Sequence, residues 1–159
     1  MTGTILQVNV SPGGLPKRPV GEAFLKEAGF AGDSWNHPQI HGTPDKAVLL
    51  IGAEAIEDLT ACGYQVFYGA LGENLTTRGL ERRRIAAGHR FRVGEALIEI
   101  TRLRRPCRTL DIYGASLKHA IYSGNPDSAL YGMSGFYARV LRPGLVRPKD
   151  IIALVAALA

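Results

Sequence analysis

The sequence lacks any apolar run near the roughly 18 to 20 residues that a membrane-spanning helix requires. Its longest, Ala47 to Ile51 and Ile151 to Leu158, fall far short, so no membrane segment is expected. No basic segment leads into an apolar stretch at the N-terminus, so no secretory signal is visible. Cysteine is scarce: Cys62 and Cys107 are the only two, in unlike contexts. Without an export signal a disulfide is not expected, and the cytoplasm is the default location. Repeats, low-complexity tracts and linkers are also missing. A chain of 159 residues is long enough for one cored domain, 1–159, and too short for two. Aromatic residues make up 8% and do not interleave with basic ones as in an RNA-binding strand, which ranks nucleic acid last among anionic partners. Acidic residues are outnumbered by basic ones, and the net charge of +5 calls for an anionic partner, a phosphorylated small molecule being one candidate. Arginines concentrate between Arg78 and Arg108, and the run Arg82-Arg83-Arg84 reads as a solvated loop face.

What is present centres on Arg102 to Asp111, where four arginines surround Cys107. Positive charge nearby favours thiolate over thiol, and a thiolate is both a nucleophile and a ligand for soft metals. Pro106 lacks a backbone donor and forces Arg105 to be extended, so a strand ends here with the thiol at its mouth. An unreactive core cysteine is the alternative. Flanking by Arg104, Arg105 and Arg108 weighs against it, because buried guanidinium groups need partners.

Elsewhere the chain reads as short strands separated by Gly and Pro turns. Thr4 to Val10 alternates, Val20 to Lys26 fits either a strand or a short helix, and Gly29 to Gly32 is turn chemistry. Ala47 to Ile51 has the unbroken apolarity of a strand buried on both faces. Ala53 to Cys62 is an amphipathic helix capped by Gly63, which puts Cys62 on the buried face as a packing residue. His89 to Thr101 is a hairpin whose Gly94-Glu95 loop suits a type II′ turn. Ser116 to Tyr122 forms a short helix, Gly135 to Leu141 an alternating strand, and Val146 to Val155 starts as another, with Asp150 towards solvent. These elements predict a closed or nearly closed, mostly β barrel with a few short helices, since closure leaves no unpaired edges.

Two loops carry further candidate chemistry. Gly32 to Val48 is long and polar, and long loops in compact domains are commonly functional. His37 and His41 have a helix-face spacing, but Pro38, Gly42 and Pro44 break any helix and no HExxH pattern is present, so a hydrogen-bonding or ligand-orienting role suits them better than zinc. Lys46 stands at the entrance of the apolar strand, where an ammonium can meet an anion. In Gly69 to Leu80, glycines leave backbone amides approachable, and Asn74, Thr76 and Thr77 offer neutral donors and acceptors for a heterocycle or phosphate. A turn followed by an edge strand is the plainer reading of that stretch.

Three motifs in fixed order, GDSWNHPQIHGTPDKAV, GENLTTRGL and RRPCRTLD, with the tail GFYARVLRPGLVRPKD, resemble the MOSC family of molybdenum cofactor sulfurase C-terminal domains in its small standalone bacterial form. The resemblance spans about the whole chain. It implies a barrel-like, mostly β fold and a pyranopterin molybdenum cofactor (molybdopterin). It further implies either reduction of N-hydroxylated small-molecule substrates with electrons from a redox partner, or a sulfur-carrier or cofactor-handling module with a persulfide on Cys107. By motif, Cys107 is the metal ligand and catalytic cysteine, with Asp111 an acid near the metal or a partner of Arg108. Lys46, His37, His41, Gly72, Glu73, Asn74, Thr76, Thr77, Arg105 and Arg108 are the implied cofactor-binding residues. Thr43-Pro44 stands where a second glycine is usual after His41-Gly42. Oligomeric state is left open.

Overall fold

Ile5 and Val8 lie three residues apart in strand β1 (Thr2–Val10), yet both are fully buried in one core. A register shift between Ile5 and Gln7 against strand β6 (Leu75–Arg78) reconciles that spacing with the two-residue period of a strand. The computed structural model describes residues 1–34 and 43–156. From β1 the sheet continues antiparallel to β11 (Ile151–Ala156), then through β7 (Arg90–Val93), β8 (Ala96–Leu103), β9 (Phe136–Arg142) and β5 (Val48–Gly52) to β6, which pairs back with β1. The result is a closed seven-stranded barrel, mostly β as expected, with β2 (Arg18–Val20) appended to β1. Strands β3 (Ala23–Lys26), β4 (Gly29–Phe30) and β10 (Gly144–Val146) form a separate three-stranded sheet. Thus Val20 to Lys26 resolves into strand pieces, and the Val146 to Val155 stretch is split by a turn in which Lys149 takes a φ of +77°.

Strand β5 shows why its run is apolar throughout. Val48 and Leu50 face the barrel interior with Phe91, Ile98 and Phe136. Leu49 and Ile51 face a second core formed with Ile56 and Leu59 of helix α1 (Ala53–Ala61), Leu71, Leu110, and Leu117 of helix α2 (Leu117–Ala120). Strand β6 lies parallel to β5 inside the ring, so it is not an edge strand. The β7–β8 hairpin turns at Gly94-Glu95 as expected, with a φ of +55° at Gly94.

Two expectations need correction. Cys62 is exposed, because α1 stops at Ala61 and Cys62 serves as its C-cap, beyond the last residue of the buried stripe. The arginine run is not simply a solvated face. It forms a 3-10 turn in which Arg82 donates to the carbonyls of Tyr131 and Ala129, and Arg83 to those of Pro126 and Asp127. Among the described residues no helix is long and apolar enough to cross a membrane.

Candidate functional site

The polar segment before β6 is held by a buried network. Gly69 has a φ of +97°, and a side chain there would meet the Lys17 carbonyl at 2.2 Å, so only glycine allows the 2.9 Å bond from Lys17 N–H to the Gly69 carbonyl. Asn74 joins three elements through its amide. Its Oδ1 accepts from Leu49 N–H at 3.1 Å, and its Nδ2 donates to the Asn9 carbonyl at 3.2 Å and to Asp33 Oδ2 at 2.9 Å. Asp33 Oδ1 accepts in turn from Ser11 N–H at 2.9 Å and pairs with Lys17 Nζ at 2.5 Å, both side chains being buried. Glu73 lies behind this layer. Its Oε2 accepts from Gly69 N–H at 3.0 Å and Thr76 Oγ1 at 3.3 Å, while buried Oε1 has no partner among the described residues. Burial pushes the Glu73 carboxyl up to about 7 against the hydrogen bonds that favour the anion.

In front of the network opens a cavity of about 330 Å³, within the range of small-molecule sites. Its polar wall includes Lys17, Lys46, Asn74 and Arg104, and its apolar wall Leu15, Leu49, Leu71, Ile112 and Tyr137. Arg104 is 5% exposed, and among the described residues its guanidinium donates only to backbone carbonyls, Leu71 at 3.1 Å and Ser134 at 3.4 Å. No carboxylate among the described residues pairs with it. A guanidinium has five N–H donors, and the buried Glu73 carboxyl feels the charge of this one without bonding to it, which leaves donors for an anionic guest in the cavity. Lys46 Nζ stands 5.5 Å from the centre of the Tyr137 ring and adds a second positive group.

Cys107 follows the end of β8 in extended conformation and precedes a 3-10 segment, Arg108–Tyr113. It is partly exposed, and its Sγ lies 2.9 Å from the hydroxyl of Thr109, a cavity-lining residue. The four arginines do not crowd the thiol as expected. Arg102 is drawn to Asp45 at 2.9 Å, Arg104 turns inward to the carbonyls, Arg105 stacks over Tyr122 at 5.9 Å, and Arg108 is exposed. Asp111 pairs with Lys118 at 3.2 Å rather than with Arg108. Among the described residues, no three His, Cys, Asp or Glu side chains group closely enough to hold a metal ion by themselves.

Of the residues singled out from sequence, Lys46, Gly72 and Asn74 line the cavity. Glu73 and Thr76 support its wall from behind, and Thr77 is buried in β6. Cys107 adjoins the cavity through Thr109, whereas Arg105, Arg108 and Asp111 are not in its lining. His37 and His41 lie outside the described residues. Sequence reasoning did not place Lys17, Asp33, Asn9, Arg104 or Tyr137 at the site. The available signals were Lys17 directly after Gly13-Gly14-Leu15-Pro16, Asp33 directly after Gly32, and Arg104 as an arginine continuing a strand.

The closed β-barrel thus carries a cation-lined cavity beside a partly exposed cysteine, an arrangement with room and charge for an anionic organic molecule. The chain belongs to the MOSC domain family, whose model matches residues 37–153. Protein YflK of Bacillus subtilis (strain 168) is 34% identical over 147 residues, covering 90% of this chain and 63% of YflK. Protein YiiM of Escherichia coli (strain K12) is 31% identical over 140 residues, covering 86% of this chain and 60% of YiiM. The matches thus span about three fifths of the length of these relatives. The crystal structure of YiiM from Geobacillus stearothermophilus superposes with a TM-score of 0.77 at 26% identity, covering 97% of this chain and 75% of that one.

Proposed function

We propose that this protein binds a pyranopterin molybdenum cofactor in the cavity beside Cys107 and reduces N-hydroxylated compounds, acting in the cytoplasm. The observation that carries the reading is Arg104, a buried guanidinium bonded among the described residues only to carbonyls and lining a cavity next to a partly exposed cysteine. Arg104 and Lys46 supply positive charge for the pterin phosphate, and Leu15, Leu49 and Leu71 exclude water from its body. Gly72 presents backbone without a side chain at the wall, and Thr109 lies against Cys107 Sγ, the ligand that the described residues offer to molybdenum. When bound, the cofactor supplies the two-electron chemistry. The net change converts R–NH–OH, two electrons and two protons into R–NH2 and water, the N–O bond breaking and a reduced redox partner being oxidised.

The test is protein purified anaerobically from a host that makes the cofactor, analysed for molybdenum and pterin and assayed with reduced methyl viologen. Near-stoichiometric metal, reduction of N-hydroxylated compounds, loss of reduction in Cys107→Ser and loss of bound pterin in Arg104→Met are expected. Loaded wild-type protein that reduces no N-hydroxylated compound contradicts the reading. Partial exposure of Cys107 also suits a sulfur carrier, and intact-mass analysis showing one added sulfur on Cys107, together with that inactivity, would favour it.

A further inference from the structure

The surface around Cys107 carries an excess of positive charge that the cavity does not use. From Arg102 to Tyr122 the chain holds Arg102, Arg104, Arg105, Arg108 and Lys118 against a single acid, Asp111. Asp111 is neutralised by Lys118, Arg102 by Asp45, and Arg104 is buried. Arg105 and Arg108 remain, both exposed and neither in an ion pair among the described residues. On the same 3-10 segment as Arg108, Ile112 is 67% exposed while lining the cavity mouth. An exposed branched aliphatic side chain on the same short segment as the exposed Arg108, and seven residues from the exposed Arg105, is a poor solvent-facing combination and a good transient interface. Apolar contact at the centre is combined with charges that steer a partner of opposite sign.

We infer that Arg105, Arg108 and Ile112 form the docking surface for an acidic electron-carrier protein that delivers electrons at the cavity mouth. The inference rests on the proposed reductase reading. Charge complementarity selects the partner, because an acidic face meets two uncompensated guanidinium groups, whereas a basic carrier is repelled. Such an interface is small and short-lived, so its strength lies in the association rate and falls with salt.

The experiment measures association of this 159-residue protein with an acidic flavodoxin by stopped-flow flavin fluorescence at low and at raised ionic strength. A double reversal, Arg105→Glu with Arg108→Glu, is compared with Lys26→Glu and Arg92→Glu, a pair that changes net charge equally at exposed positions on strands β3 and β7. The patch reversal is expected to slow association about tenfold or more at low salt, with the difference closing as salt rises, while the control pair stays within about twofold. Ile112→Ser is expected to speed dissociation at both salt concentrations. Equal slowing by both pairs, or no slowing by either, overturns the docking surface. Failure of viologen-driven reduction strikes the reductase reading instead and is seen in a separate assay that needs no protein donor.

Discussion

Glu73 is buried with one oxygen unpartnered among the described residues, and its carboxyl is raised from 4.5 to about 7, first by desolvation. The folded protein therefore holds this proton more tightly than the unfolded chain does. The Glu73 contribution to stability is fully present below the unfolded value of 4.5, is lost as pH rises, and is gone above about 7. A gap of this size corresponds to about 3 kcal/mol. Glu73→Gln is expected to match wild type in urea unfolding near about pH 4.5 and to exceed it by up to about 3 kcal/mol at about pH 8. Parallel pH curves for the two proteins would remove the role assigned to burial. At Lys17 the expectation has the opposite sign. Lys17→Met leaves the Asp33 carboxylate buried without its cation, and a loss of about 3–5 kcal/mol in the same unfolding experiment is expected, against less than about 1 kcal/mol if the pair is idle.

Among the elements, the β7–β8 hairpin was legible because its turn chemistry is local: a glycine takes a positive φ between strands of alternating pattern. Gly94→Ala would have to keep that φ and place its Cβ 2.5 Å from Asp150 Oδ2 and 2.9 Å from the Leu145 carbonyl. A loss of about 1–3 kcal/mol is expected in thermal unfolding, and an unchanged midpoint would show that the turn relaxes freely. Strand β5 was equally legible, since apolar residues on both faces need cover on both sides. Helix α1 was placed correctly, but Cys62 was not, because a periodic stripe does not reveal where the helix stops. The Arg82 turn was misread for a different reason. Its acceptors are carbonyls more than 40 residues further along the chain, which no local pattern marks.

At the scale of the molecule, pairing of Thr2–Thr4 with Ile151–Ala153 joins the two ends of the sheet and leaves the ring without a free edge. Barrel closure was legible from the number of short strands. The parallel register of β5 and β6 was not, because it depends on which strands become neighbours across the ring. The site divides in the same way. Cys107, Lys46, Gly72, Asn74 and Asp33 sit in motifs that can be read along the chain, whereas Lys17 and Asn9 join them only once β1 lies against the 69–76 segment. Arg104 was visible but misassigned to the thiol, since the carbonyls of Leu71 and Ser134 that turn it inward come from two other segments. The central claim is that the thiol of Cys107 meets a molybdenum centre held in the adjoining cavity. Molybdenum K-edge X-ray absorption on cofactor-loaded protein tests it most directly, by comparing wild type with Cys107→Ser at equal metal content. The account predicts one sulfur fewer around molybdenum in the variant; identical spectra would contradict it.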